Sequence, residues 1–338
     1  MKKPAYQGQM PPPRRKFDAP NFGLASRDPA KGLINASLEE TGGMKNNTHL
    51  TRLPACREFG AFLKQHTEVF RLHQITREHV KLFGEHLRER FETEIGFSAS
   101  TARDYLSHIN VCLAQARGDS TCKVFATKDL DYPSKQGIAL KDRSVTPEQH
   151  ALIAEHSSSA VSLISEIQRA LGLRFREAAL LDCTQALHQA EQQGGVQLTR
   201  GTKGGQPRTI PIQHRSQIRA LTQGHHLQRE TGHDNAIPEH LSFKNFQSQA
   251  WREVTQIDPT YRSHGERKYY ACQFYESALG VKPPVVAGIA HGKAHHAYIA
   301  QQLSIDIKEA QHRDAAARLA LSKVLGHHRL SITNAYLG

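Results

Sequence analysis

The sequence has few cysteines, no long apolar run and no apolar leader, and each of these excludes a class of protein. The five cysteines, Cys56, Cys112, Cys122, Cys183 and Cys272, are an odd number, scattered, and never spaced C-x-x-C. Such a set neither frames a disulfide scaffold nor supplies a zinc–thiolate centre, and it fits a reducing, cytoplasmic compartment. Mean hydropathy is −0.56, and no stretch approaches the roughly 20 apolar residues of a membrane span. Lys2 and Lys3 lead into Pro-rich polar sequence, so no secretory signal is read there. No internal repeat is found. Apolar residues make up 38% of the chain, below the ordinary globular share but enough for true cores. A length of 338 residues suggests about two domains.

Positive charge is what the chain has in excess. Lys and Arg number 44 against 32 Asp and Glu, a net charge of +12, which points to a polyanionic partner but says nothing of fold. Residues 1–47 hold 8 basic and 4 acidic groups, together with Pro11-Pro12-Pro13 and Gly42-Gly43. Their low apolar content predicts a disordered basic arm, because too little can be buried to offset chain entropy. Residues 48–117 are nearly balanced, with 10 basic and 8 acidic groups, and residues 118–338 carry 26 and 20.

The 48–117 segment reads as a small helical domain. Phe59, Phe62 and Leu63 share a face, and Phe70 and Leu72 follow. Thr76 is placed to cap a helix carrying Val80, Phe83 and Leu87 at three- and four-residue intervals. After Gly96, Ser98 or Ser100 can cap a third helix whose buried stripe is Tyr105, Leu106, Ile109 and Leu113. Arg88, Arg90 and Arg103 fall on the opposite face. Residues 118–143 read as a linker from Gly118, Pro133, Ser134 and Gly137. A second domain opens at Thr146-Pro147-Glu148-Gln149, a capping signal with proline at the first helical position.

Five short constellations follow. Gly172 ends one helix and leaves Arg174 at the start of the next, where backbone N–H groups favour an anion; read alone, Arg174 would simply pair with Glu177 one turn on. A hairpin joins Val196 and Leu198 to a return strand through Ile210 and Ile212, with Lys203 thrust out on a glycine-rich turn and Pro211 marking an edge strand. His264-Gly265-Glu266-Arg267 opens a helix with a buried stripe of Tyr270, Cys272, Phe274 and Leu279. Leu325-Gly326-His327 stops a helix, and Tyr336 lies nine residues further on, in a short turn that Ser331 can cap.

In this order and spacing, the R-x-x-E turn, the lysine hairpin with its R-T-I-P-I return strand, H-x-x-R, L-G-H and the trailing tyrosine closely resemble the tyrosine recombinase (phage integrase) family. Ser100-Thr101-Ala102-Arg103 through Leu106 is similar to that family's core-binding domain, so the likeness spans about residues 48 to 338. The resemblance implies a mostly α, α+β fold: a helical, SAM-like core-binding domain over 48–117, and a mixed α/β catalytic domain over 144–338 with a small antiparallel sheet. It implies a site-specific recombinase that breaks and rejoins duplex DNA as a tetramer, through a phosphotyrosyl intermediate, with no cofactor, metal or ATP. Carried over residue by residue, Arg174 and Arg267 bind the scissile phosphate, Tyr336 is the nucleophile and Lys203 the general acid. His264 and His327 bond the phosphate and help take the tyrosine proton. An accessory DNA-bending or directionality protein is a further implied partner, and a nucleoid location follows from the substrate.

Departures from the pattern are also legible. Residues 281–320 read as an insertion that takes over docking to a neighbouring subunit, since little follows Tyr336. His291 and His295, at i and i+4, have zinc-ligand spacing but no third ligand, and surface placement is favoured. Lys268 follows Arg267 where many relatives have histidine. The competing readings are a type IB topoisomerase-like enzyme, a DNA-binding relative with a decayed site and, least favoured, a histidine-rich metalloenzyme.

Overall fold

The computed structural model describes residues 15–134, 137–327 and 329–338. The chain divides into two compact units, residues 1–135 and 136–338.

The first unit is all helical. Four helices, Pro29–Glu40, Asn47–His66, Arg77–Thr93 and Ala99–Arg117, start at side-chain caps: Asp28, Asn46 and Ser98 each accept a backbone N–H three residues on, and Thr76 forms a capping box with His79. Of the two serines considered for the last helix, Ser98 is the cap. Their apolar faces meet around Phe59 and Phe83, ring centroids 4.9 Å apart, with Leu63, Leu87, Ile109 and Leu113 buried beside them. On the face opposite the apolar stripe, Arg90 pairs with Glu94 and Glu58, and Arg88 with Glu92.

Two expectations fail in this unit. The arm is folded from Arg15 onward, and residues 1–14 lie outside the described residues. Leu24, Leu33, Ala36 and Leu38 join the core. The buried Arg15 guanidinium pairs with Glu39 at 2.9 Å and donates to the carbonyls of Phe22, Gln115 and Ala116. A few apolar residues and one arginine that spends four of its five N–H groups thus hold a segment that composition alone reads as loose. The first half of the expected linker is likewise packed. Val124, Leu130 and Tyr132 are buried, the Tyr132 hydroxyl donates to Gly84 O at 2.6 Å, and Asn110 exchanges two hydrogen bonds with the Val124 backbone.

The second unit surrounds the helices Ser159–Leu171, Arg215–Thr231, His264–Leu279 and Ile307–Val324. Ile164, Ile167, Leu171, Leu221, Tyr275, Leu321 and Leu325 form its core. Thr146 caps the helix Pro147–His156 through the expected box with Gln149. Strands Gly195–Leu198 and Arg208–Pro211 pair antiparallel in the register Val196↔Ile210, which sends both of those side chains into the core. Pro211 sits at the end of this two-stranded ribbon, where its missing N–H leaves no gap.

Three local expectations are corrected here. Tyr275, not Phe274, completes the buried stripe of the helix His264–Leu279. Ser331 caps nothing; a 3-10 turn, Leu330–Thr333, runs directly into the final turn Asn334–Leu337. The segment 281–320 is no peripheral insertion, because Val281, Ile299, Ala310 and Ala317 are buried in the domain core. Asp314 in it accepts both Tyr275 and Arg318. Arg318 in turn donates to Asn334 Oδ1 at 3.0 Å and Gly338 O at 3.1 Å, so this segment latches the turn that carries Tyr336. Removing it would open the domain rather than detach a docking arm.

His291 and His295 do not converge on a metal position. His291 bonds Gly338 O, and His295 Nε2 bonds Lys282 O. Among the described residues no group could hold a metal ion, and no helix is long and apolar enough to cross a membrane.

Candidate active site

The six residues singled out in the sequence come from four separate places in the second unit. Gly172, in the left-handed region at φ 64°, turns the chain between Ser159–Leu171 and Phe175–Ala179. A Cβ there would collide with the Tyr270 ring, so the tight turn needs glycine. The turn leaves Arg174 at the N-cap, where its backbone N–H donates to Glu177 Oε2 at 2.8 Å and its Nη1 to Oε1 at 2.7 Å. The pairing expected of Arg174 in isolation is therefore present, and its side chain still keeps 24% exposure, with unspent N–H groups.

Glu177 is the hub that sequence reading left as a mere partner. It is fully buried and takes Arg208 in a two-pronged pair at 2.8 and 2.6 Å. Arg267 Nη1 lies 3.9 Å away. Burial pushes this carboxyl up, but the Arg208 hydrogen bonds and charge, followed by the Arg174 backbone and charge, outweigh it and hold the group at about 2. Arg208 also donates Nε to Val324 O at 2.9 Å. Gly326, at φ 69°, makes room for it, since a Cβ there would stand 2.8 Å from Arg208 Cδ. The signal for Arg208 was visible as the arginine of the return strand. The signal for Glu177 was its place one turn after Arg174.

Arg267 has no solvent exposure. It donates Nη1 to Gly172 O, Nη2 to Leu325 O at 2.6 Å and Nε to the Tyr336 hydroxyl at 3.3 Å. Three of its five N–H groups are so engaged, and two remain. Tyr336, 7% exposed, has its hydroxyl between that Nε and His327 Nε2, the latter 3.5 Å away. The His327 backbone N–H donates to Ser322 O at 2.7 Å, and the Ser322 hydroxyl holds the carbonyls of His327 and Arg329. His264, the first residue of its helix, stands with its ring centroid 5.7 Å from that of Tyr336.

Both imidazoles are pushed down to about 4: loss of water around the ring comes first, then the charge of Arg267. Arg174 adds to this at both rings, Lys268 at His264, and Arg208 and Lys203 at His327. Near neutral pH both rings are uncharged, each with one nitrogen free to accept. Lys203 stands on the exposed turn between the two strands, and its ammonium is close enough for its charge to reach His327. Gly201, at the base of that turn, lies against the Arg176 carbonyl, 2.9 Å from where a Cβ would be, which ties the turn to the Arg174 segment.

Arg174, His264, Arg267, His327 and Tyr336 thus converge, with Lys203 at the rim. The arrangement offers two guanidiniums for an anion, a phenol touching both a guanidinium and a neutral imidazole, and an ammonium on an exposed loop.

Residues 134–273 match the Integrase family model. Among solved structures, the chain is similar to the integrase of transposon Tn1549 in complex with transposon right end DNA, at 12% identity and a TM-score of 0.52, over 90% of this chain and 93% of that one. It is similar to the XerH site-specific recombinase bound to palindromic difH substrate, at 13% identity and a TM-score of 0.57, over 92% and 94%. A lambda integrase tetramer bound to a Holliday junction aligns at 14% identity and a TM-score of 0.50, over 72% and 71%. No curated protein matches the sequence. These likenesses establish the fold, and they bear out the mostly helical architecture with its small antiparallel sheet.

Proposed function

On the premise that the chain has the fold of the tyrosine recombinases and their catalytic-domain match, we propose that it is a site-specific DNA recombinase. It breaks and rejoins duplex strands through a 3′-phosphotyrosyl intermediate, in integration or excision of a mobile element. The observation that carries this reading is the Tyr336 hydroxyl held between Arg267 Nε and His327 Nε2. The guanidinium N–H already donates to the phenol oxygen that is to attack, and the neutral imidazole, in its Nδ1–H tautomer, accepts the proton.

The phenolate oxygen then attacks the phosphorus. A Tyr336–phosphate bond forms, the bond to the 5′ oxygen breaks, and Lys203 gives that oxygen its proton. Negative charge gathering on the phosphoryl oxygens is met by Arg174 and by the two unspent N–H groups of Arg267. His264 bonds the same phosphate. Religation reverses the steps: a 5′ hydroxyl displaces the tyrosine, so the energy of the broken bond is kept and no nucleotide is consumed. Positive charge at the phosphate comes from side chains, and the reaction proceeds in a chelator.

The first unit serves as the core-binding domain that grips the duplex. Four chains assemble on two sites, as suits strand exchange, and an accessory DNA-bending protein sets direction. The enzyme acts on nucleoid DNA in the cytoplasm.

The test uses a nicked duplex built from any inverted repeat beside the coding sequence, in EDTA and without ATP. The wild-type chain becomes covalently attached to DNA in a detergent-resistant form. Tyr336→Phe abolishes attachment while duplex affinity stays within about twofold. An adduct that survives in Y336F, or equal loss of binding and attachment, overturns the assignment. Relaxation of plasmids lacking the repeat would instead favour a topoisomerase.

A further inference from the structure

Glu266 lies between His264 and Arg267 in the sequence and is fully buried, yet its carboxylate is taken up by a different set of groups. One oxygen receives His150 Nδ1 at 2.9 Å and the Tyr261 hydroxyl at 3.3 Å; the other receives Arg169 Nη1 at 2.7 Å. The other ring nitrogen of His150, Nε2, lies 3.2 Å from Glu166 Oε1. The imidazole thus lies between two carboxylates, hydrogen-bonded to Glu266 through Nδ1 and within ion-pair distance of Glu166 through Nε2, a setting that favours the imidazolium, the one form with an N–H on each nitrogen. Arg169 is itself fixed, donating to Val145 O at 3.2 Å and lying 3.4 Å over the Tyr269 ring.

The backbone beside Glu266 is pinned from the other side. Val145 N–H donates to Gly265 O at 3.2 Å, and a Cβ on Gly265 would stand 2.9 Å from Arg143 O. Glycine at this position lets the first turn of the helix lie directly on residues 143–145. The turn that presents His264 and Arg267 is therefore held by a backbone contact on one residue and a buried charge cluster on the next.

We infer that His150, Arg169 and Glu266 form a positioning device that fixes the His264–Arg267 turn for catalysis, and that it works only while His150 is doubly protonated. This rests on the strand-cleavage reading above. Two cations and two anions make the cluster neutral, and loss of the His150 proton leaves two carboxylates facing each other across an uncharged ring. The charged and titratable groups around it are Glu166 and Arg169 from the helix Ser159–Leu171, Arg219 acting on Glu166 from Arg215–Thr231, Tyr261 before the catalytic helix, and Glu148 on the His150 helix, which faces Arg169. Asp258 accepts Gln149 beside them. Burial opposes the charge on His150, but the hydrogen bonds to Glu166 and Glu266 and their charges lift it to about 9.

The variant to make is His150→Gln, which keeps the length and one N–H donor but neither the charge nor the second donor. On the nicked duplex at saturating protein, H150Q should cleave about tenfold more slowly or worse, since small misplacements of reacting groups cost that much. Duplex affinity should remain within about twofold, and the thermal melt should stay cooperative. His150→Lys, which restores a cation, should recover part of the rate, a result that a merely structural loss does not give. Side-chain nitrogen NMR of the wild type at pH 7.5 should show one ring protonated on both nitrogens, absent from H150Q. An H150Q chain that cleaves at the wild-type rate from pH 7 to 9, or a His150 ring with a single proton at pH 7.5, overturns the device alone. A wild-type chain that forms no adduct overturns the strand-cleavage reading itself, and the device's catalytic role falls with it.

Discussion

Arg267 Nε lies 3.3 Å from the Tyr336 hydroxyl oxygen, so the proposed nucleophile rests on the guanidinium proposed to hold the phosphate. Arg267 is anchored by Gly172 O and Leu325 O. Its position is set by the backbone at the ends of two helices. That placement converts a flexible side chain into a fixed donor array before any substrate arrives.

Glu177→Gln should be strongly destabilising. The carboxylate neutralises Arg208 in a two-pronged pair and lies against Arg174 and Arg267. Breaking one side of a buried ion pair costs about 3–5 kcal/mol. For a unit of this size the melting temperature should fall by on the order of 10 °C, read by calorimetry. A shift within about 1 °C would show that the arginines find other partners and that Glu177 is no hub.

Stability should peak near pH 6.5, with opposite causes on the two sides. His150 is raised to about 9 in the folded chain, so its contribution is complete below the unfolded value of about 6.5 and is lost as pH rises from there through 9. At most about 3 kcal/mol is involved. His264 and His327 are depressed to about 4, so the unfolded chain binds their protons first and stability falls as pH drops from 6.5 toward 4. Glu177, held at about 2, adds its own loss at still lower pH. Denaturant titrations across pH 4 to 9.5 read the profile, and H150Q should flatten only its alkaline side. A profile that is flat above pH 6.5 in the wild type contradicts the His150 pairing.

Lys203→Ala should slow cleavage of an ordinary strand by about 10²- to 10⁴-fold, the usual worth of a general acid. A substrate whose 5′ bridging oxygen is replaced by sulfur has a leaving group that needs no proton, and on it the variant should regain most of the wild-type rate. Equal defects on both substrates would assign the acid to another group.

How much of this was readable depended on whether a residue's role is local or long-range. The helices of the first unit follow from the spacing of Phe59, Phe62, Val80, Phe83 and Leu87, and caps such as Thr76 and Thr146 mark their starts, because those signals act within a few residues. The family's motif order brought forward all six candidate site residues, and five converge in space. Arg15 could not be recognised, since its value lies in carbonyls 100 residues away, those of Gln115 and Ala116. For the same reason a segment with weak local patterning was read as loose. Asp314 and Arg318 fell inside an apparent insertion, and only tertiary packing shows that they latch Asn334 and Gly338. Glu266 looked like an incidental residue of a motif until His150, 116 positions away, was found beneath it.

The ribbon that carries Lys203 has a further consequence. Its strands are only four residues long, its tip is exposed and holds glycines at 204 and 205, and its base is fastened by Arg208 and by Gly201. On the proposed mechanism, the groups that face the phosphate are ordered by the interior, whereas the proton donor, Lys203, sits on an exposed turn beside two glycines, whose backbone has much freedom to lose. Fixing each such residue costs about 1–2 kcal/mol of entropy, so on the proposed mechanism the activation entropy of strand cleavage should be concentrated in residues 202–205. A stiffer tip would then accelerate the chemistry without adding any contact to DNA, and rate differences among chains built on this plan would follow the looseness of that one turn.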